Sequence, residues 1–188
     1  MAKSIQTIKM DRDFYEAVEN LATIQSEKSF PNSSENHAVA VFKAIFKTAK
    51  GNVRIYAENL CGRIPNSDEY INGLKDFIVK RKGKVEILLE EQPGSENLKE
   101  KPIFKMLRSL NEKSYEIKQT NARATLEYGN SEQEINFTTG GDTMYRIEYD
   151  KFNKKAWCCF NSEKVTNKLN VLFDTFFPDA TPVKLAGV

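Results

Sequence analysis

The sequence contains a single histidine, His37, and this count limits the chemistry that the chain can perform. A Ser-His-Asp triad, a Cys–His pair or a metal site with two histidines would have to be built around that side chain or across a dimer axis. His37 stands at the start of a predicted helix. A surface histidine is the simplest interpretation there, and a pH-sensitive contact is the alternative. The count therefore removes most histidine-based catalysis.

The three cysteines do not form a recognisable redox or metal motif. Cys158 and Cys159 are neighbours on a predicted strand, so their sulfur atoms should point to opposite faces. A tetrahedral zinc site would also need Cys61 and His37 as ligands, and their positions in the chain do not indicate such a site. We expect no metal and no cofactor. The odd cysteine count and the absence of an apolar N-terminal stretch predict a protein of the reducing cytoplasm.

Carboxylates follow two predicted strands at the point where each strand ends. Glu58 and Asn59 come after one strand, and Glu90 and Glu91 come after the next. Ligands of open α/β sheets bind at the carboxyl ends of the strands, so these four side chains could line one crevice. Paired carboxylates perform acid–base chemistry or hold a divalent cation. A hydrolase that uses Glu58, Glu90, Glu91 or Asp142 is one interpretation, and solvated loop residues are the other.

The densest basic run is Lys80, Arg81 and Lys82, followed by Lys84. Such a strip could bind the phosphates of nucleic acid or lipid. It also stands at the end of a predicted helix, where cations complement the helix dipole. No aromatic residue interleaves with it, which weakens a role in single-strand binding. The whole chain carries a net charge of only +2, which excludes a strongly basic polyanion binder.

A predicted hairpin strand places Arg146 and Glu148 on one face and Tyr145 and Tyr149 on the other, with Trp157 nearby on the next strand. Exposed aromatic rings beside an arginine would form a protein-binding patch. In the alternative interpretation, the rings pack beneath the last helix.

The remaining pattern predicts one α/β unit. The chain has 188 residues, of which 40% are apolar, enough for one ordinary core. We divide it into an N-terminal helical arm (1–33), an α/β domain (34–178) and a tail (179–188). The sheet should be mixed and flanked by helices, with a parallel N-terminal part and antiparallel hairpins in the C-terminal part. Helices are predicted near 14–24, 36–50, 68–81, 96–110 and after 162, and strands near 52–57, 85–89, 114–118, 124–128, 134–138, 143–149 and 155–160.

This order of elements resembles one half of the phospholipase D superfamily domain, over roughly residues 36–178. The resemblance rests on a helix with HAVAVF (37–42), strands VRIYA (53–57) and KVEILL (84–89), the hairpin INFTTGGDTMYRI (135–147), and AWCCFN (156–161) before the last helix. It implies the fold of that superfamily. It also makes a homodimer an expectation, because such halves pair in the active family.

The resemblance also implies that the catalytic motif is absent. In active members a His-x-Lys motif lies on the strand before the hairpin, with an aspartate a few residues later. The histidine attacks the phosphorus and the lysine holds phosphate oxygens. By position, Asn136 and Thr138 stand there, followed by Asp142. Asparagine is not a nucleophile at phosphorus and threonine carries no charge, so phosphodiesterase activity is not expected.

The leading functional hypothesis is therefore a non-catalytic binding or regulatory protein that acts through a protein partner. One alternative is a nucleic-acid-binding protein that uses the strip Lys80–Lys84. A second alternative is the carboxylate-dependent hydrolase. No run of eighteen apolar residues occurs, so we expect no contact with a membrane interior.

Overall fold

The computed structural model describes residues 11–128 and 131–185. The helices are α1 (Arg12–Thr23), α2 (Glu35–Thr48), α3 (Asp68–Val79), α4 (Ser95–Glu100), α5 (Pro102–Arg108) and α6 (Glu163–Phe176). The strands are β1 (Phe30–Asn32), β2 (Asn52–Ala57), β3 (Lys84–Leu89), β4 (Tyr115–Gln119), β5 (Thr125–Tyr128), β6 (Ser131–Glu134), β7 (Asn136–Gly140), β8 (Met144–Asp150), β9 (Lys155–Cys159) and β10 (Thr181–Pro182).

Eight of these strands form one mixed sheet in the order β1-β9-β8-β7-β2-β3-β4-β10. Strands β2, β3 and β4 run parallel, because a helical crossover separates each from the next. Strands β7, β8 and β9 are joined by short turns and pair antiparallel. The predicted mixed α/β sheet, parallel first and antiparallel later, is confirmed.

Helices cover both faces of the sheet and bury two apolar cores. The larger core lies beneath α1, α2, α3 and α5, and the smaller core lies beneath α6. Strand β8 contributes to both, since Met144 joins the larger core while Tyr145 and Ile147 join the smaller one. The alternation read from the sequence of this strand is therefore confirmed.

Local chemistry explains where the helices begin. The Ser34 hydroxyl accepts a hydrogen bond from the His37 N–H at 3.2 Å and caps α2. The predicted helix 96–110 is instead two helices, α4 and α5. Pro102 starts the second, because proline lacks the N–H that would continue the first and its fixed φ suits a first helical position.

The sequence analysis did not predict two short edge strands of the sheet. Strand β1 pairs antiparallel with β9, and β10 pairs antiparallel with β4. Both are three residues or fewer and both contain proline, so neither has a readable alternation. A division of the chain at residues 33 and 178 therefore separates two strands from the sheet in which they lie.

The predicted strand pair around Gly129 and Asn130 is also rearranged. Strand β5 pairs with β6 in a separate two-stranded sheet, whereas β7 belongs to the main sheet. Residues 129 and 130 themselves lie outside the described residues. The turn predicted at Gly140 and Gly141 follows β7, and Gly141 has a φ of +59°, a conformation that glycine adopts readily.

Gly83 ends the turn after α3, and we expect its replacement by alanine to destabilise the protein. A Cβ atom there would lie 2.2 Å from Cζ of Phe77, whose ring is buried. Moving that ring should lower the free energy of unfolding by about 1–3 kcal/mol. Urea denaturation measures the change. Gly62→Ala is the matched control, because its Cβ would meet no atom within 4 Å. Equal stability of the two variants would contradict the prediction.

Candidate functional site

A cavity of about 170 Å³ opens between the end of β2, the following loop, helices α2 and α3, and the β7–β8 hairpin. The hairpin register places Asn136 opposite Glu148 and Thr138 opposite Arg146, so these four side chains share the face that lines the cavity. The other polar residues of its wall are Glu35, Glu58, Asn59, Arg63 and Lys154.

Arg146 carries the positive charge at the centre of this cavity, and only 3% of the residue is exposed to solvent. Its Nε donates to Oδ1 of Asn32 at 3.0 Å, and its Nη2 donates to Oε1 of Glu148 at 3.1 Å. The guanidinium carbon lies 5.0 Å from the centre of the Phe42 ring. A charge is buried at low cost only when it is paired and hydrogen-bonded, so these contacts hold the Arg146 guanidinium in the cavity wall.

The amide of Asn136 extends this network. Its Nδ2 donates to Oε2 of Glu148 at 3.0 Å. Its Oδ1 is buried and has no hydrogen-bond partner among the described residues. Thr138 is 3% exposed, and within residues 11–128 and 131–185 its hydroxyl forms no hydrogen bond either. The network therefore retains donors and acceptors that no protein group uses.

Aromatic rings form the apolar wall of the cavity. Tyr70 is buried, and its ring packs edge-on against Phe42 and Phe46 at 4.9 and 5.0 Å. Burial raises the pKa of the Tyr70 phenol, so this group stays neutral at physiological pH. At the mouth, Nη1 of Arg63 lies 2.9 Å from Oε2 of Glu35, which joins the loop after β2 to the start of α2.

Two solved bacterial structures match this architecture over most of the chain. Nuc from Salmonella typhimurium, a phospholipase D family member, aligns with a TM-score of 0.56 at 10% identity, covering 84% of this chain and 99% of Nuc. NucT from Helicobacter pylori aligns with a TM-score of 0.56 at 9% identity, covering 83% of this chain and 99% of NucT. The chain has a phospholipase D-like fold.

A third structure with this fold is TrmBL2, described as an archaeal chromatin protein with a novel mode of DNA binding. It aligns with a TM-score of 0.59 at 13% identity over 92% of this chain. The chain spans 62% of the length of TrmBL2. No protein-family profile and no curated protein matches the sequence.

The phospholipase D-like fold brings only some of the predicted site residues together. Five of them line the cavity: Glu58, Asn59, Asn136, Thr138 and Arg146. Glu91 lies just outside, where its Oε2 accepts from Nδ2 of Asn59 at 3.4 Å. Asp142 is exposed in the turn after β7, at the opposite end of that strand from Asn136.

Glu90 does not share a crevice with Glu58 and Glu91. Its side chain is 1% exposed and accepts hydrogen bonds from Arg123 and from Nζ of Lys151, the latter at 3.1 Å. Successive residues after a strand point to opposite faces, so Glu90 turns towards the smaller core while Glu91 faces water. The predicted four-residue crevice is thus divided between two places.

The basic strip has internal partners for most of its charge. Nζ of Lys80 lies 2.8 Å from Asp76, and Nζ of Lys84 lies 3.0 Å from Glu86. Nη2 of Arg81 donates to the Ala49 carbonyl at 2.7 Å. Lys82 is exposed, with a positive φ of 58°. These partners weaken the field that the strip presents to a polyanion.

The predicted patch of Arg146 and Trp157 is not formed. Trp157 is paired with Ile147 in the β8–β9 register, so it lies on the face opposite Arg146. Tyr145 is buried on that face, whereas Trp157 is 45% exposed. The difference arises because α6 packs on β2, β7 and β8 and leaves the outer part of β9 uncovered. Burial beneath the last helix is therefore right for Tyr145 and wrong for Trp157.

His37 joins two helices. Its ring stacks on Phe14 of α1 at 3.7 Å, and its Nε2 lies 3.8 Å from Oδ2 of Asp11.

In the described residues, no group of three or more His, Cys, Asp or Glu is arranged to hold a metal ion. No helix within this part of the chain is long and apolar enough to cross a membrane.

The cysteines should differ in their reactivity. Cys158 lies in the larger core and Cys159 in the smaller one, as expected for neighbours on a strand. Burial raises the pKa of the Cys158 thiol to about 12. Cys61 is only partly buried. We expect a thiol reagent at pH 8 to modify Cys61 alone in the folded protein and all three after unfolding. Mass mapping tests this, and rapid labelling of Cys158 would contradict its burial in the larger core.

The sequence analysis missed several residues of the site. Phe42 and Tyr70 show only the apolar spacing of a core helix, and Lys154 sits in a turn. Asn32, which orients Arg146, is separated from it by 114 residues in the chain. No local signal identifies such a partner. The pairing of Asn136 with Glu148 could have been found, because the turn at Gly140 and Gly141 sets the hairpin register.

Proposed function

We propose that this chain is a non-catalytic binding protein that acts through a protein partner, on a phospholipase D-like domain whose phosphodiester chemistry has been lost. The observation that carries the proposal is the Arg146–Glu148 ion pair, which fills the wall of the cavity together with Asn136 and Thr138. The resemblance in sequence to the phospholipase D superfamily implies that the last two residues take the positions of the nucleophile and the phosphate-binding lysine.

The chemistry of these groups supports the loss of catalysis. An amide nitrogen that donates to Glu148 has no electron pair to attack phosphorus. Glu148 places a carboxylate beside the one central cation, so a phosphate group there would meet a like charge. No histidine or cysteine lines the described cavity.

Exposed apolar side chains support action through a protein partner. Trp157 on β9 is 45% exposed, and Phe152 in the turn before it is 93% exposed. Tryptophan and other aromatic residues contribute a large share of binding energy in protein interfaces. We assign the outer part of β9 and this turn as the contact surface, with either a different protein or a second copy of the chain as the partner.

An assay with bis(p-nitrophenyl) phosphate tests the loss of catalysis. We expect no release of p-nitrophenol above the buffer rate. Glu58→Gln, within the cavity, and Glu91→Gln, outside it, form a matched pair. Turnover that Glu58→Gln abolishes and Glu91→Gln retains would overturn the proposal and favour a carboxylate-dependent hydrolase.

Capture of binding proteins from native lysate tests the partner. The tagged chain is incubated at low salt and at roughly 0.5 M salt, with and without nuclease, since apolar contacts are less sensitive to screening than ionic ones. We expect a retained protein that Trp157→Ala loses and Lys82→Ala keeps. Light scattering of the purified chain detects a homodimer. Retention of the same partner by Trp157→Ala would reject the assigned surface.

Nucleic-acid binding is the second candidate, favoured by the likeness to the DNA-binding chromatin protein TrmBL2. The strip Lys80–Lys84 would contact phosphates, with Lys82 as its exposed member. Fluorescence anisotropy with a labelled DNA duplex should then show affinity that falls steeply with salt, with a smaller slope for Lys82→Ala than for Lys99→Ala. Affinity independent of salt, or identical slopes, would exclude this strip.

A further inference from the structure

The titratable groups of the cavity balance one another in charge. Its wall contains three carboxylates and three cations: Glu35, Glu58 and Glu148, and Arg63, Arg146 and Lys154. An anionic ligand therefore gains little net attraction, and beside the guanidinium of Arg146 it would meet the carboxylate of Glu148, which lies 3.1 Å from Nη2. Electrostatics thus favour an uncharged ligand.

The same wall has unused hydrogen-bonding capacity of both kinds. Among the described residues, Nη1 of Arg146 has no acceptor, Oδ1 of Asn136 has no donor, and the Thr138 hydroxyl has neither. Of these atoms, Oδ1 of Asn136 is buried without a partner, which is costly, so a molecule that donates a hydrogen bond to it would bind favourably. A hydroxyl group is a donor and an acceptor at once, and it suits all three positions.

The size and the apolar wall agree with this chemistry. A cavity of about 170 Å³ is roughly ten times the space needed for one water molecule, so it admits several heavy atoms. Phe42 and Tyr70 supply ring surface on which the carbon skeleton of such a molecule can pack.

We propose that this cavity binds a small, uncharged molecule with several hydroxyl groups, of the polyol class. The inference rests on the proposed loss of phosphodiester chemistry, since a working nucleophile would need the same space. Arg146 and Thr138 donate to ligand hydroxyls, and Asn136 accepts from one.

Titrations of the full chain with glycerol, myo-inositol and glucose, followed by ¹H–¹⁵N NMR, test the proposal. Myo-inositol monophosphate and glucose 6-phosphate are the charged counterparts. We expect saturable shifts of the Asn136 side-chain amide and of the β7 backbone amides with at least one neutral probe, and weaker binding of its phosphate. No saturable shift with any of the three polyols, or tighter binding of the phosphates, would overturn the inference.

Thr138→Val supplies the variant for this test. It removes a hydroxyl without a protein partner, so the fold is retained, and the affinity for the bound polyol should fall about tenfold. Thr175→Val, on the exposed side of α6, should leave the affinity unchanged. Equal affinity of both variants would place the ligand elsewhere. Turnover of bis(p-nitrophenyl) phosphate refutes the proposed function, whereas failure of polyol binding without turnover refutes only this inference.

Discussion

Replacement of Arg146 by methionine is expected to lower the free energy of unfolding by about 3–5 kcal/mol. The side chains of Arg146 and Glu148 are only 4% and 8% exposed. Methionine fills a similar volume but cannot neutralise the carboxylate. The variant therefore leaves Glu148 as a buried charge whose one remaining hydrogen-bond donor, among the residues that the structure describes, is the Asn136 amide.

The double variant Arg146→Met/Glu148→Leu separates the loss of the charge pair from the loss of packing. Replacing both partners of a buried ion pair by apolar residues is often neutral or stabilising, so most of the stability should return. Urea unfolding followed by the fluorescence of Trp157, the one tryptophan of the chain, measures both variants. Lys80→Met breaks the exposed pair with Asp76 and should cost less than about 1 kcal/mol.

Two results would contradict this account of Arg146. One is a single variant that unfolds at the wild-type urea concentration, which would mean that Glu148 reaches water. The other is a double variant as unstable as the single one, which would mean that shape rather than charge holds this wall. Because the double variant also removes the central donor of the cavity, it should fold and yet fail to bind a polyol.

The fold was predictable where the signal is local. Strand β2 was predicted at its observed bounds, because it alternates cleanly between Gly51 and a polar loop. The sequence of β8 correctly predicted that Arg146 and Glu148 lie on one face and Tyr145 on the other, because side chains alternate along a strand with a period of two residues. Such patterns depend on neighbours in the chain, and a single sequence contains them in full.

Contacts between distant segments were not predictable. The environment of Arg146 depends on Asn32, which belongs to a three-residue strand with a proline in its centre. Whether Trp157 is buried depends on where α6 crosses the sheet, and the spacing of apolar residues in a helix does not state its position. Both are properties of tertiary packing.

The carboxylates at the ends of β2 and β3 show the same limit of prediction from a single sequence. Glu90 and Glu91 are consecutive and were grouped into one crevice with Glu58. A one-residue step at the end of a strand reverses the direction of the side chain, so one carboxylate meets water and the other is buried. The sequence identifies the edge of the sheet but not which charges the loops 121–124 and 150–154 bring to it.

We therefore expect Glu90 to stabilise the fold, because its carboxylate accepts hydrogen bonds from both loops and so holds them against the sheet. Arg123 precedes β5, Lys151 lies in the β8–β9 turn, and both bind the same carboxylate at the end of β3. The Glu90 side chain is 1% exposed, and removing both cations in Arg123→Met/Lys151→Met leaves its carboxylate with no paired cation among the described residues. We expect a loss of about 3–5 kcal/mol in the free energy of unfolding.

A third substitution, Glu90→Gln, tests whether the buried charge causes that loss. The triple variant Arg123→Met/Lys151→Met/Glu90→Gln should recover most of the stability, because an amide is far less costly to bury than an ion. Glu134→Gln is the control, since this carboxylate is 55% exposed and lies 3.6 Å from Lys151, and its loss should cost less than about 1 kcal/mol. If the triple variant is no more stable than the double one, the cations stabilise the loops by their own packing, and the charge of Glu90 is not what fastens them.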